Sequence, residues 1–363
     1  MKRKFSILVV SAVIIGLTLS LAGMALVSQT ALAEKDSQRQ VPKPIPATNI
    51  EVVKKVFSED VEKGKGKPSP PPKTGGAATG ILGPLATGTK YAIVIGICDY
   101  PGTTNLDLCQ SDGDSLHMYK ALTELYEYKP ENIRLFKDGG GTTGPTLGSV
   151  AYGIPTRDNI YNAIMDIRGN ATSAGDEVVF FFSGHGAKGT AKDGDPEETD
   201  EAIVVWKDKN DVEGNIDYIW DGELRTWFDG FATTRIAFVF DSCLAGGMND
   251  VATDVNYVVV DGRVISMATG ETQSAYVYST AGEDVDGNGI KDGEGVFSRL
   301  FVNEGMLQGK ADKYDHDKDG SLSEPTDVVV EEAFDYAKAN IPPYLKQRQK
   351  PVISDNFVND LLL

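Results

Sequence analysis

The stretch VFFFSGHGAKG, residues 179–189, decides how the rest of the chain is read. Val179 to Phe182 is an unbroken apolar, β-favouring run, the pattern of a strand covered on both faces. It stops at Ser183-Gly184-His185-Gly186, so one of only three histidines sits between two glycines where the strand must end. A second such run, FVFDSCLAGG (238–247), ends in the same way with Cys243. In a parallel α/β sheet, reactive groups gather beyond the carboxyl ends of the strands. If these two strands are parallel neighbours, His185 and Cys243 emerge on one edge as a Cys–His pair. The imidazolium then lowers the thiol pKa and later protonates the leaving amine. Taken singly, a hydrogen-bonded turn histidine and a small core cysteine are the plainer readings. Their equivalent placement beside glycines favours catalysis. Gly186 lets backbone approach a scissile carbonyl, and its N–H together with that of Cys243 is expected to form an oxyanion hole.

Outward from these two runs, strands alternate with amphipathic helices. Strands are expected over 90–97, 132–138, 176–184 and 234–242, with further ones at 274–281 and 350–356. Helices are expected over 111–126, 156–167, 221–228, 296–306 and 325–341. Thr156 caps the second helix, and the Asp-rich first turn of the first suits the helix dipole. Such alternation implies a three-layer α/β/α fold around a mostly parallel sheet of about six strands.

The N-terminus reads as an export signal. Lys2, Arg3 and Lys4 precede an uncharged apolar run, 5–27, and Ala31-Leu32-Ala33 is an A-x-A cleavage site. The run is also long enough to stay as a membrane tether, so the expected location is extracellular or cell-surface anchored. Residues 34–89 are rich in Pro, Gly and Lys and read as a pro-segment or spacer, with 49–57 either a helical turn or packed on the body. The peptidase-like body is then expected over 90–363. The net charge of −18 already includes the basic N-terminus, so that body is more acidic still. It should repel nucleic acid and attract cationic ligands. The three cysteines, Cys98, Cys109 and Cys243, leave at least one thiol without a partner in the chain.

SGHG (183–186) and DSC (241–243) resemble the His and Cys motifs of caspase-like cysteine peptidases, specifically metacaspases and their prokaryotic relatives. YAIVIGICDY, LCQSD, PTRDNIYNAI, DGDPEETDEAIV and GVFSRLFVNEGM extend the likeness in the same order over nearly all of 90–356. Leu244 and Ala245 stand where metacaspases commonly have His-Ser. The resemblance implies the caspase-type fold, a dyad rather than a triad, and no organic cofactor. It also implies an acidic pocket, here Asp112 and Asp241, that takes Arg or Lys of a protein or peptide substrate. The lysines of the pro-segment then become substrates too, as in a zymogen that processes itself. An Asn- or Asp-directed peptidase and an idle scaffold that keeps the fold are the alternatives.

Calcium is the expected metal, at three places. DVDGNGIKD offers Asp284, Asp286, Asn288 and Asp292, and DHDKDGSLS offers Asp315, Asp317 and Asp319 with Asp327 beyond them. Alternate carboxylates around a glycine-kinked loop suit a hard cation. The third set comes from the resemblance: Asp195, Asp200, Glu201 and Asp250.

Overall fold

The structure is a computed structural model that describes residues 40–58, 76–97, 99–102, 106–107, 112–137, 153–194, 197–278, 293–322 and 324–363. Cys98, Cys109, Asp195 and the loop carrying Asp284, Asp286, Asn288 and Asp292 lie outside them, as does the run 5–27.

The central sheet is built from β3 (Lys90–Gly96), β4 (Ile133–Lys137), β5 (Glu177–Ser183), β9 (Ile236–Asp241), β10 (Arg263–Met267) and β13 (Val352–Asp355). Their spatial order is β13-β10-β9-β5-β3-β4, and every pairing is parallel except that of β13 with β10. Alternation along each strand makes two cores. Ala92, Val94, Val179, Phe181, Ala237 and Val239 face one side, with Leu116, Leu122, Phe297 and Phe334 packed on them. Ile93, Ile95, Phe180, Phe182, Phe238 and Phe240 face the other, with Ile160, Ile164, Leu224 and Phe228. Helix α1 (Asp112–Glu124) and α4 (Val330–Asn340) therefore cover one face, and α2 (Arg157–Asn170) and α3 (Asp221–Phe228) the other. The expected three layers and six strands are present, with one exchange. The strand expected over 274–281 is β11 (Tyr276–Tyr278), which lies outside the central sheet. Its place is taken by β10, whose first residue, Arg263, disguises a buried strand. Its Nη1 and Nη2 donate to the carbonyls of Val251, Thr253 and Phe228.

Two smaller sheets sit at the edge where β5 and β9 end. One is antiparallel, in the order β1 (Ala47–Val53), β6 (Gly186–Ala191), β7 (Asp200–Trp206), β8 (Ile216–Trp220). The other joins β12 (Glu294–Gly295), β11 and β2 (Val56–Phe57). Residues 49–57, expected as a helical turn or packed on the body, do pack on it, as parts of β1 and β2, one strand in each sheet. Residues 76–81 also join the body, because Asp335 and Asp360 accept their backbone N–H groups. The folded unit takes in more of 34–89 than composition suggests, since carboxylates and strand pairing replace the missing apolar surface.

Candidate active site

Ser183 and Asp241 are register partners at the ends of β5 and β9. The residues two further on, His185 and Cys243, therefore leave the same edge of the sheet. The two loops touch: a Cβ on Gly186 would run into the carbonyl oxygen of Cys243. Cys243 is followed by Leu244 in the left-handed region (φ 60°), which turns the chain sharply into the helical segment Ala245–Ala252. A bulky residue held at positive φ is strain of the kind that marks functional turns.

His185 is held from three sides. Its Nε2 lies 2.7 Å from the carbonyl oxygen of Leu106, which only accepts, so Nε2 carries the proton and Nδ1 is the basic face. Its ring stacks on Tyr100 at 4.8 Å between centroids, and its backbone N–H donates to the Tyr100 hydroxyl at 2.8 Å. Burial pulls the imidazole pKa down to about 3. Cys243 is 1% exposed, and Ala275 N–H points at its Sγ from 3.1 Å. Burial pushes its thiol up to about 12. The pair as found is a neutral thiol and a neutral imidazole.

The cover is the chain's own N-terminal segment. Val53 packs on Cys243, Leu244 and Ala275. The backbone N–H of Lys55 donates to His185 Nδ1 at 3.2 Å. The Lys55 side chain, 2% exposed, enters an acidic pocket: its Nζ lies 3.0 Å from Asp241 Oδ1 and donates to Ser183 Oγ at 2.9 Å. Ser183 Oγ in turn donates to Asp114 Oδ2 at 2.6 Å. Asp114 also accepts Gly295 N–H, and Asp241 Oδ2 accepts both the N–H and the hydroxyl of Ser298. Burial raises the Asp114 carboxyl well above the usual range, with the Lys55 ammonium pulling the other way. The pocket thus holds Asp114 beside Asp241, and Asp112 was the second acid expected there. Asp112 opens α1, but its side chain lies outside the described residues. Tyr100, the Leu106 carbonyl, Ser183 and Asp114 were not singled out by sequence reasoning. The signal for three of them was the same as for the dyad: each follows or ends a parallel strand on this edge.

Acidic side chains also converge in groups of three. Carboxylate oxygens of Asp193, Asp200 and Asp221, and of Glu197, Glu201 and Asp221, converge within 4.8 Å of one another. Asp200 and Glu201 open β7, and Asp221 opens α3. Asp250, expected in this set, accepts a hydrogen bond from Arg225 Nη1 at 2.5 Å. Asp221, which was not expected, is common to both converging groups. Glu201 also lies against the turn after the cysteine, since a Cβ on Gly247 would run into its carboxylate. Asp315, Asp317 and Asp319 do converge within 4.8 Å. Asp327 accepts His316 N–H on Oδ2 at 2.6 Å.

Residues 90–252 match the family model described as "Metacaspase, peptidase C14 domain". Among curated proteins, the chain is 33% identical to Metacaspase-4 of Arabidopsis thaliana over 169 residues, 46% of this chain and 36% of that one. It is 30% identical to Metacaspase-1 of Kluyveromyces lactis over 173 residues, 46% and 35% of the two chains. With Metacaspase-1A of Neurospora crassa the figures are 26% over 252 residues, 67% and 49%. The chain thus spans between about a third and half the length of these relatives.

Proposed function

We propose, from the premise that residues 90–252 are a metacaspase-like, caspase-family cysteine peptidase domain, that this chain is an exported endopeptidase. It cleaves peptide bonds after Arg or Lys and is made as a zymogen. The observation that carries this reading is a lysine ammonium bound by Asp241 and Ser183, beside a histidine and a cysteine at the ends of adjacent strands. An aspartate or asparagine side chain in that pocket would meet carboxylates instead of a charge partner.

In the mechanism, Leu106 fixes the tautomer that leaves Nδ1 as base. His185 takes the proton of Cys243, the thiolate attacks the carbonyl carbon, and the imidazolium gives its proton to the leaving amine. The N–H groups of Gly186 and Cys243 are assigned to the oxyanion. Activation rehydrates the edge of the dyad, since burial is what holds both groups neutral.

Calcium is assigned to the cluster of Asp193, Glu197, Asp200, Glu201 and Asp221, whose all-oxygen donors fit a hard cation. Bound there, calcium would neutralise carboxylates that lie against the turn after Cys243. Asp195 belongs to the set by resemblance, and the Asp315-Asp317-Asp319 loop is a weaker second site. The leader 1–33 directs export or anchors the chain at a cell surface.

The test is turnover of fluorogenic peptides ending in Arg, Lys, Asn or Asp by wild type and Cys243→Ala, with calcium and with chelator. The expected outcome is cleavage after Arg and Lys by wild type alone. Equal turnover by Cys243→Ala, or preference for Asp, sinks the assignment.

A further inference from the structure

We propose that Lys55 is a plug bound in a register that His185 cannot cleave, so residues 47–57 inhibit this chain without being a substrate of it. The proposal rests on the peptidase reading above and concerns the same pocket.

Peptide cleavage sets a strict positional rule. The side chain in the specificity pocket belongs to the residue whose carbonyl carbon is attacked. The nitrogen that receives the histidine's proton belongs to the next residue. With Lys55 in the pocket, that nitrogen must be the one of Val56. It is engaged elsewhere: Val56 N–H donates to the carbonyl oxygen of Ala275 at 3.0 Å. The nitrogen facing His185 Nδ1 is that of Lys55 itself. The bond ending at that nitrogen is Lys54–Lys55, and Lys54 is exposed rather than in the pocket. Each bond meets one requirement and fails the other.

The misfit is locked on both sides. Upstream, Val53, Val52 and Glu51 pair with Gly186, Ala187 and Lys188. Downstream, Val56 and Phe57 pair with Tyr276 and Val277. Sliding by one residue to bring Val56 to the histidine would turn every side chain of these strands over and pull the ammonium off Asp241. The Lys55 N–H meanwhile occupies the lone pair that the base needs, and Val53 packs against the cluster that contains the buried Cys243. One segment blocks pocket, base and nucleophile together.

Release then has to come from cutting the tether rather than the plug. Lys63, Lys65, Lys67 and Lys73 lie between the plug and the residues of the body that follow. A cut after any of them turns an intramolecular inhibitor into a separate peptide and removes its high effective concentration.

The test uses the full chain, the Lys55→Ala full chain and a synthetic peptide of residues 45–58. We measure turnover of an Arg-ending fluorogenic peptide, sequence the N-termini that form, and follow the synthetic peptide by mass spectrometry. The expected result is at least tenfold higher turnover by unprocessed Lys55→Ala. New N-termini should begin after Lys63, Lys65, Lys67 or Lys73. The peptide should inhibit the Lys55→Ala chain while staying intact, and its own Lys55→Ala version should not inhibit. A new N-terminus at Lys55 or Val56, or a synthetic peptide cut at either bond, overturns the register while leaving the peptidase reading standing. No turnover by any form, with calcium present, sinks the peptidase reading and the plug with it. If Lys55→Ala does not fold, Lys55→Met, which keeps the stem and loses the charge, replaces it.

Discussion

Replacing Asp241 with Asn should cost far more than replacing Asp114, and the structure says by how much. In the pocket, Asp241 is the direct ion partner of the bound ammonium at 3.0 Å, with both side chains fully buried. Breaking a buried pair by removing one member costs about 3–5 kcal/mol. At about 1.4 kcal/mol per tenfold, kcat/KM for an Arg-ending peptide should fall by about a hundredfold to a few thousandfold. Asp114 makes no ion pair with the cation and is joined to it through Ser183 Oγ, 2.6 Å away, and by longer-range attraction. Weakening that relay is worth about 1–2 kcal/mol, or about five- to thirtyfold. The assay is kcat/KM in the Lys55→Ala background, where the pocket is clear, for matched peptides ending in Arg and in citrulline. Citrulline has the shape of Arg without its charge, so the Asp241→Asn loss should be confined to Arg. The reasoning is refuted if Asp114→Asn proves the more harmful change, or if Asp241→Asn stays within about threefold of its parent.

Calcium removal should lower Tm and turnover together, because an ion bound only by the folded form stabilises it by mass action. Asp221→Asn should blunt the response and Asp250→Asn should not, since Asp250 faces Arg225; the reverse order in a thermal melt with and without chelator would move the site. A pH effect should come from Glu331. It is buried, accepts Leu361 N–H, and burial raises its pKa from 4.5 to about 8. Between those values the folded chain holds a proton that the unfolded chain has shed, so stability should fall as pH rises through that window. Glu331→Gln should flatten this slope in a Tm–pH series, and an unchanged slope would assign it to other groups.

The fold was legible because buried parallel strands write themselves as continuous apolar runs, and the shared edge of His185 and Cys243 because they follow two of them at matching positions. Asp114 was harder to see. It lies in an Asp-rich first helical turn whose carboxylates are already accounted for by the helix dipole, so composition does not say that this one reaches the pocket. The plug was hidden for a different reason. Residues 47–57 sit in a Lys- and Pro-rich segment, and their strands exist only because β6 and β11 offer backbone partners. Pairing across 130 residues, as between Lys55 and His185, leaves no local pattern. The part of Asp221 in the acidic groups was equally silent, because it depends on α3 packing beside β7.

The pairing of β1 with β6 has a consequence for the released enzyme. While β1 is in place, the outer side of Gly186–Ala191 is an interior strand of its sheet. Once it leaves, that side becomes an open edge of unpaired N–H and C=O groups, and β11 loses β2 in the same step. Exposed edges of this kind invite association between copies. The activated form should therefore be the more aggregation-prone of the two, and light scattering during processing should rise unless a peptide is supplied to fill the vacated edge.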